Sequence, residues 1–266
     1  MTNGVADEFT DSVTKLLGLS KDDDDSEFGE RLWNKARLVD TTLFRAHMFA
    51  TPSLAGSLFR IANFCDPDVV VEKLKETHRY NDLIEFLYGK RLHRQALELL
   101  QKFGQQADDN ETEDDKIPVQ LHGPNRTVGY LQHLAPDKID LILEFAEWPL
   151  RTDPDLGMEV FLADTENSET LPRLPVLEFL ERIDPNLAIK YLEHVIEELD
   201  DLTPELHQRL LILYLQRLQK HKSQECLFAN DDEKTEWWEK FIGMLRSSSQ
   251  YSPAKMLDRL DRDGMF

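Results

Sequence analysis

Apolar side chains recur with the period of an α-helix along most of this chain. One apolar stripe spans 187–199, with hydrophobic residues at i, i+1, i+4, i+5, i+8, i+9 and i+12. Asp184 is a favourable N-cap, and Pro185 stands where a first helical turn tolerates proline. A second stripe spans 206–218, and a turn near Asp200-Asp201-Leu202 separates the two. The pattern therefore predicts two antiparallel helices joined by a short turn.

The same pattern predicts further helical hairpins before and after this one. An earlier hairpin spans 70–103, and Gly89 is expected in the left-handed position that ends its first helix. Pro149 is expected to end or kink its helix, because the proline ring clashes with the carbonyl of Phe145. Other helical stretches are expected at 139–148, 156–162, 176–183 and 236–245. No stretch alternates apolar and polar residues for long enough to predict a strand, so we expect an all-α fold.

A weak internal repetition supports a stack of such hairpins. Three helices begin with a small residue before an apolar one, at Ala96-Leu97, Gly157-Met158 and Ala188-Ile189. The separations correspond to about two units and one unit of a helical-hairpin repeat, whose period is roughly 30 to 47 residues. The small residue would let a neighbouring helix approach closely. We therefore predict an α-solenoid of stacked helical hairpins.

Two acidic runs suggest the domain organisation. The run at 22–25 separates a predicted N-terminal helix, with its apolar stripe at Phe9, Val13, Leu16 and Leu17, from the rest of the chain. We expect residues 1–25 to form this helix and its linker. Residues 26–266 would then form the solenoid, interrupted at 107–117 by a second acidic run that is expected to be an exposed loop.

The charge of the chain excludes several classes of function. The formal net charge of −20 at pH 7 disfavours nucleic acid and bare anionic lipid as partners. No apolar run approaches the length needed to cross a bilayer, so direct membrane insertion is not expected. Cys65 and Cys226 are far apart and each has an apolar neighbour, which suggests buried thiols in the reducing cytoplasm.

The chain carries no recognisable catalytic or cofactor-binding motif. It has no phosphate-binding glycine loop, nucleophile elbow or kinase signature. None of its eight histidines stands at a zinc-type spacing from a cysteine or another histidine. A metal could in principle bind four residues of one helix, Glu193, His194, Glu197 and Glu198. The glutamates are expected on the solvent face of that helix, which disfavours a metal site. We therefore expect a protein without metal, cofactor or enzymatic activity.

One basic cluster is the main candidate for a binding site. Lys90, Arg91, His93 and Arg94 lie together at the predicted turn between two helices. Such a cluster can simply complement a helix dipole in a solvated turn. Alternatively, it could dock an acidic partner or a phosphorylated headgroup. Trp237-Trp238 and Phe241 follow helical spacing, which favours core packing over a ligand box.

Several stretches, taken in order, resemble one known family. They are 39–44 (Val-Asp-Thr-Thr-Leu-Phe), 80–84, 92–100, 127–134 (Thr-Val-Gly-Tyr-Leu-Gln-His-Leu), 171–173 and 187–196. Together they resemble the vacuolar protein sorting-associated protein 39 family, also called vacuolar morphogenesis protein 6, over about 39–264. The sequences of the acidic inserts and of residues 45–64 are similar to those of fungal members. The resemblance implies a solenoid segment of clathrin-heavy-chain-like repeats, truncated at both ends relative to the family.

The resemblance also implies a role in membrane traffic. Members of the family are subunits of the HOPS tethering complex, which joins late endosomes and vacuoles before fusion. The expected partners are other HOPS subunits, a late-endosomal Rab GTPase and, at vacuole–mitochondrion contacts, the mitochondrial import channel. The chain would then lie peripherally on vacuolar and late-endosomal membranes through these partners. Two alternatives remain open: the paralogous subunit of the endosomal CORVET tether, which is the TGF-β-receptor-associated protein family, and an exchange factor for a small GTPase.

Overall fold

The computed structural model describes residues 26–106, 118–222 and 231–262. Within these ranges the regular structure is entirely helical, with fourteen α-helices, three short 3-10 segments and no strand. The all-α prediction is therefore confirmed. The predicted N-terminal helix and both acidic runs lie outside the described residues. The chain forms two compact units, one ending at His122 and the other beginning at Gly123.

The described part of the first unit packs five helices around a chain of aromatic rings. Its helices are α1 (Ser26–Ala50), α2 (Pro52–Ala55), α3 (Pro67–Glu76), α4 (Tyr80–Gly89) and α5 (His93–Gln105). The helices α3, α4 and α5 pack in sequence, and α4 also packs on the 3-10 segment Gly56–Arg60. The ring of Phe59 contacts those of Phe44 and Phe86, with centroids 5.8 and 4.9 Å away. These rings join α1, the 3-10 segment and α4 into one core.

The second unit stacks hairpins one on the next. Its helices are α6 (Asn125–Gln132), α7 (Ile139–Thr152), α8 (Pro154–Leu162), α9 (Glu166–Glu169), α10 (Arg173–Ile183), α11 (Pro185–Glu197), α12 (Pro204–Lys222), α13 (Asp231–Ser247) and α14 (Pro253–Arg262). The helices α7 and α8 form a hairpin, and so do α10 and α11. Contacts of α7 with α10 and of α8 with α11 join the two hairpins. Consecutive stacking of this kind is the construction of an α-solenoid.

Three helices of the chain begin with the same dipeptide. Asp66-Pro67, Asp153-Pro154 and Asp184-Pro185 start α3, α8 and α11. Each aspartate side chain accepts a hydrogen bond from a backbone N–H of the first turn, at 2.9–3.1 Å. The proline takes a position where no N–H is needed. The predicted cap at Asp184 is thus confirmed and belongs to a recurring start signal.

Three turns place a residue other than glycine in the left-handed region. His78, Arg91 and Asp200 have φ of 54°, 57° and 51°. After α4 the turn closes with Leu92 N donating to Leu87 O and Arg91 N donating to Tyr88 O, both at 2.9 Å. This is the hydrogen-bond pattern of a Schellman motif. The prediction that Gly89 holds the left-handed position is wrong, because α4 runs two residues further than that position would allow and Arg91 takes it.

Close packing of α7 against α8 depends on one glycine. A Cβ on Gly157 would lie 2.7 Å from the backbone N and Cα of Leu150. The small residue therefore permits a near backbone contact, as the repetition of small residues suggested. Pro149 lies inside α7, which continues to Thr152. The expectation that Pro149 ends its helix is wrong, because the helix continues for three residues beyond it. The alternative, a kink at Pro149, stays a prediction.

Candidate interaction surface

The basic cluster lies at the turn between α4 and α5, but its four side chains have different surroundings. Lys90 is the C-cap residue of α4, Arg91 occupies the left-handed position and His93 begins α5. Lys90 and His93 are half-buried, whereas Arg91 and Arg94 are exposed. The left-handed residue reverses the chain, so that side chains adjacent in sequence point in different directions. The four residues therefore do not form one basic patch.

Lys90 turns into the first unit and stabilises a loop. Its Nζ donates a hydrogen bond to the backbone carbonyl of Asn63 and lies 5.6 Å from the centroid of the Phe86 ring. Burial lowers the pKa of Lys90, and the nearby groups of Cys65 and Asp40 partly oppose that shift. The expectation that Lys90 is exposed is therefore wrong, whereas its predicted role in partner binding stays a prediction. Its charge holds the loop between Arg60 and Pro67 against α4.

The same loop is fastened to α1 by further polar contacts. Phe64 N donates to Asp40 Oδ2 at 2.7 Å, and Asp66 N donates to Thr41 Oγ1 at 2.9 Å. Burial raises the pKa of the Cys65 thiol to about 11, with the charge of Lys90 acting in the opposite direction. The prediction that Cys65 is buried is confirmed. Because the thiolate is the reactive form, this cysteine is expected to be chemically inert.

Arg91 and Arg94 remain as the exposed part of the basic cluster. The ring of His93 packs against that of Tyr88, with the centroids 5.4 Å apart and the planes at 68°. This contact fixes the start of α5 relative to the end of α4. The two arginines, three residues apart, are thus exposed at a turn that this ring contact helps to hold in place. An exposed guanidinium pair of this kind suits carboxylates or phosphates, which arginine can bind through two parallel hydrogen bonds.

A second exposed feature of the first unit is apolar. Eleven large hydrophobic side chains are exposed among the described residues, and four of these lie on α1. The four are Leu38, Val39, Leu43 and Phe49. None of the individually predicted helical stretches covers α1, and periodicity gives no sign that this side of the helix stays exposed. The opposite side, with Thr41, Phe44 and Met48, is buried.

One of the glutamates proposed as possible metal ligands, Glu193, holds helices of the second unit together, whereas Glu197 and Glu198 are exposed. Glu193 on α11 accepts a hydrogen bond from the Tyr214 hydroxyl at 2.6 Å and pairs with Lys240 at 3.0 Å. The expectation that Glu193 lies on the solvent face is wrong, since its side chain is only about one-fifth exposed. Burial and the hydrogen bond to Glu193 raise the pKa of Tyr214. Among the described residues, no group of three His, Cys, Asp or Glu side chains could hold a metal.

Trp237 extends this contact between helices. Its ring lies 4.2 Å from the Arg217 guanidinium and 4.9 Å from Lys240 Nζ, measured to the ring centroid. Phe241 is buried as predicted, whereas Trp238 is 45% exposed and therefore not a core residue. Helical spacing alone could not separate these positions, because it does not show where α12 crosses α13.

The second unit also contains an open groove that sequence reasoning missed. It encloses about 850 Å³ between α10, α12 and the segment 249–255. Glu178, Glu181 and Glu205 line it together with Arg209 and Lys255. The Arg209 guanidinium donates to both carboxylate oxygens of Glu181, so the most basic group of the groove is already paired. The groove brings together residues about 30 to 75 positions apart, and no local motif indicates it.

Comparison with known proteins relates this stack to one family. Residues 39–150 match the family model described as vacuolar sorting protein 39 domain 1. The Vam6/Vps39-like protein of Mus musculus is 31% identical over 242 residues, covering 86% of this chain and 26% of the mouse protein. Vacuolar morphogenesis protein 6 of Schizosaccharomyces pombe is 30% identical over 244 residues, covering 89% of this chain and 26% of that protein. The chain belongs to the Vps39/Vam6 family.

The Vps39/Vam6 match extends further along the chain than that of the paralogous family. Transforming growth factor-beta receptor-associated protein 1 of Bos taurus is 29% identical over 129 residues, covering 47% of this chain and 15% of that protein. Both families thus share part of the stack. The chain spans about a quarter of the length of its Vps39/Vam6 relatives. No solved structure matches it.

The described helices of this Vps39/Vam6 segment are too short or too polar to cross a bilayer. The names of its relatives connect the family with vacuolar sorting and vacuolar morphogenesis. The family model covers the buried core of the first unit, the Arg91–Arg94 turn and the hairpin partner α7. The basic turn and the exposed face of α1 therefore fall largely within the region that defines the family.

Proposed function

We propose that this chain is a scaffold and protein-interaction segment of a membrane tether that acts between late endosomes and the vacuole. The observation that carries the proposal is the consecutive stacking of hairpins in a member of a vacuolar sorting family. Such stacks expose long surfaces while each hairpin needs only its neighbours for stability. Polar side chains that could serve chemistry, such as Glu193, are engaged between helices instead. This use of side chains supports the proposal of a non-enzymatic role.

The finer proposal is that the whole protein is a subunit of the HOPS complex. Its partners would be other HOPS subunits and a late-endosomal Rab GTPase, and it would lie peripherally on vacuolar and late-endosomal membranes through them. A role at vacuole–mitochondrion contacts, through the mitochondrial import channel, belongs to the same proposal. The resemblance along the chain supports these partners over those of the CORVET paralogue, because the Vps39/Vam6 match is nearly twice as long.

Within this role, the turn between α4 and α5 is the proposed contact for an acidic partner. The described residues 26–106 contain twelve Lys and Arg against ten Asp and Glu, although the whole chain carries −20. The stretch that carries the turn is therefore close to neutral, although the acidic residues of 1–25 and 107–117 make the first unit negative as a whole. At close range an exposed Arg91–Arg94 pair can attract an acidic surface there, and salt screens the attraction beyond about 10 Å.

The proposal is tested in the full-length protein, expressed in cells that lack their own copy. Arg91→Glu with Arg94→Glu reverses the exposed charges and leaves Lys90 in its structural place. We expect normal protein levels, weaker co-purification of at least one tether subunit and fragmented vacuoles. The matched control is Lys73→Glu with Lys75→Glu, which reverses two exposed charges on α3. Equal co-purification of all partners by both variants would contradict the docking role of the turn.

A separate assay distinguishes the scaffold from an exchange factor. The purified chain is mixed with a late-endosomal Rab loaded with fluorescent GDP, and nucleotide release is followed with EDTA as the positive control. A scaffold segment should leave the intrinsic release rate unchanged over a wide range of chain concentration. Acceleration that rises with chain concentration would instead support the exchange-factor alternative.

A further inference from the structure

The groove of the second unit is lined by one side of each of two helices. On α10 the lining residues recur at i, i+3, i+4 and i+7, which places them on one side of the helix: Leu174, Leu177, Glu178 and Glu181. On α12 they recur at i, i+1, i+4, i+5 and i+8: Pro204, Glu205, Gln208, Arg209 and Ile212. Both helices pack against α11, and the gap between them stays open.

The third wall of the groove is the connection between α13 and α14, and α12 holds this connection in place. Ser252 N donates a hydrogen bond to Gln208 Oε1 at 2.9 Å. At the other end of the connection, His207 Nδ1 and Ser248 Oγ are hydrogen-bonded at 2.7 Å. The groove is therefore preformed, and a ligand would not have to order its walls on binding.

The charged side chains of the groove favour a cationic ligand. The hydrogen bonds to Glu181, together with the charges of Glu181 and Glu178, raise the pKa of Arg209, so this guanidinium is already satisfied within the groove. Glu178 and Glu205 are exposed, and neither makes a hydrogen bond or ion pair with another described residue. These two carboxylates face a single further cation of the lining, the exposed Lys255.

The part of the second unit that surrounds α10 and α12 is acidic as well. The described residues 123–222 contain nineteen Asp and Glu against ten Lys and Arg. A field of this sign attracts cationic ligands and repels anionic ones, within the range of about 10 Å that salt allows. The local and the surrounding charges therefore agree on the sign of the ligand.

Apolar side chains line the groove together with these charges. Leu174 is 40% exposed, Pro204 is exposed and Ile212 is half-buried. The volume of about 850 Å³ lies within the range of roughly 300–1,000 Å³ that is usual for ligand pockets. A ligand for this groove should therefore combine positive charge with apolar side chains. A short basic segment of a protein has this combination.

We propose that this groove binds a short segment of another protein in which Lys or Arg residues alternate with Leu or similar apolar residues. The basic side chains pair with Glu178 and Glu205, and the apolar ones lie against the apolar side chains of α10 and α12. The site lies wholly within the second unit and does not depend on the role proposed for the basic turn of the first unit. It gives the chain a docking site with the opposite charge preference.

The test measures the binding of fluorescently labelled octapeptides to the 266-residue chain by anisotropy. The probe alternates Lys and Leu, one control peptide alternates Lys and Ser, and another alternates Glu and Leu. We expect saturable binding of the Lys-Leu peptide, about tenfold or more tighter than that of either control at physiological salt. Equal binding of the Lys-Ser peptide would contradict the proposal, because charge alone would then account for it. Equal binding of the Glu-Leu peptide would contradict the assigned charge preference.

Two double variants locate the bound peptide. Glu178→Gln with Glu205→Gln removes two carboxylates of the groove and should weaken binding of the Lys-Leu peptide about tenfold. The matched control, Glu166→Gln with Glu169→Gln, removes two exposed carboxylates on α9, outside the groove, and should change binding less than about twofold. Equal weakening by both variants would overturn the proposal, because the peptide would then respond to the net charge of the chain.

The same titration with the full-length protein decides whether the groove is open to a separate partner. Binding as tight as that of the 266-residue chain supports the proposal. Loss of binding in the full-length protein would overturn it, because another part of the same protein would then cover the groove. Thermal unfolding of both double variants should match that of the unmodified chain, since all four glutamates are exposed.

Discussion

The helices α11 and α1 follow the same amphipathic pattern but have different burial. On α11, Leu187, Ala188, Ile189, Tyr191, Leu192 and Val195 are all buried, because α8, α10 and α12 pack around it. The helix α1 is contacted by α2 and α3 among the described helices of the first unit. One side of α1 remains exposed. Periodicity thus tells which residues can share a side of a helix. The number of neighbours decides how many of them are buried.

The largest expected effect of this difference concerns leucines on the two helices. Leu192→Ala should lower the free energy of unfolding by about 2–5 kcal/mol, since the side chain is fully buried. Leu38→Ala, the matched change on the exposed side of α1, should cost less than about 1 kcal/mol. Urea unfolding of both variants measures the contrast. Similar losses would show that α1 is covered as fully as α11.

The next effect compares two glycines of the second unit. Gly157→Ala should destabilise the chain by about 1–3 kcal/mol, because the new Cβ would meet the backbone of Leu150. Gly129→Ala is the matched control, since Gly129 lies within α6 and its Cβ would meet no atom within 4 Å. That change should stabilise by about 0.5–1 kcal/mol. Thermal unfolding should therefore shift in opposite directions for the two variants.

A smaller contrast is expected inside the basic turn. Lys90→Gln should cost about 1–2 kcal/mol, because the carbonyl of Asn63 loses its charged donor in a half-buried site. Arg91→Gln changes an exposed side chain one residue away and should stay within about 0.5 kcal/mol. Chemical denaturation measures both. Equal effects would mean that Lys90 is not a structural residue.

The order of helices and several of their starts could be predicted from sequence, since periodicity and capping are local. Asp184-Pro185 is such a case. The structural roles of Lys90 and Glu193 could not be predicted, because their hydrogen-bond partners are distant in sequence. Lys90 binds Asn63, 27 residues away. Glu193 binds Tyr214 and Lys240, which are 21 and 47 residues away. The exposure of Phe49 was equally hidden, since it depends on which helices pack against α1. Sequence patterns therefore predicted the elements better than the candidate site.

The smallest predicted effect tests the left-handed turn. Arg91→Gly should be neutral or stabilising by a few tenths of a kcal/mol. Glycine accepts the positive φ without strain, which stabilises the folded chain, and its greater freedom in the unfolded chain offsets part of that gain. Arg91→Val should destabilise by about 1 kcal/mol, since a β-branched side chain is poorly tolerated there. Thermal melts of the two variants give the comparison. A more stable valine variant would contradict the assigned turn geometry.

Hydrogen exchange of the Leu192→Ala variant tests the central claim, a scaffold of stacked hairpins, most directly. In such a stack each hairpin depends mainly on its neighbours, so damage should remain local. We predict that amide protection falls in α8, α10, α11 and α12, while α3, α4 and α5 keep the protection of the unmodified chain. A uniform loss of protection over all described helices would contradict the account, because it would indicate one cooperative core.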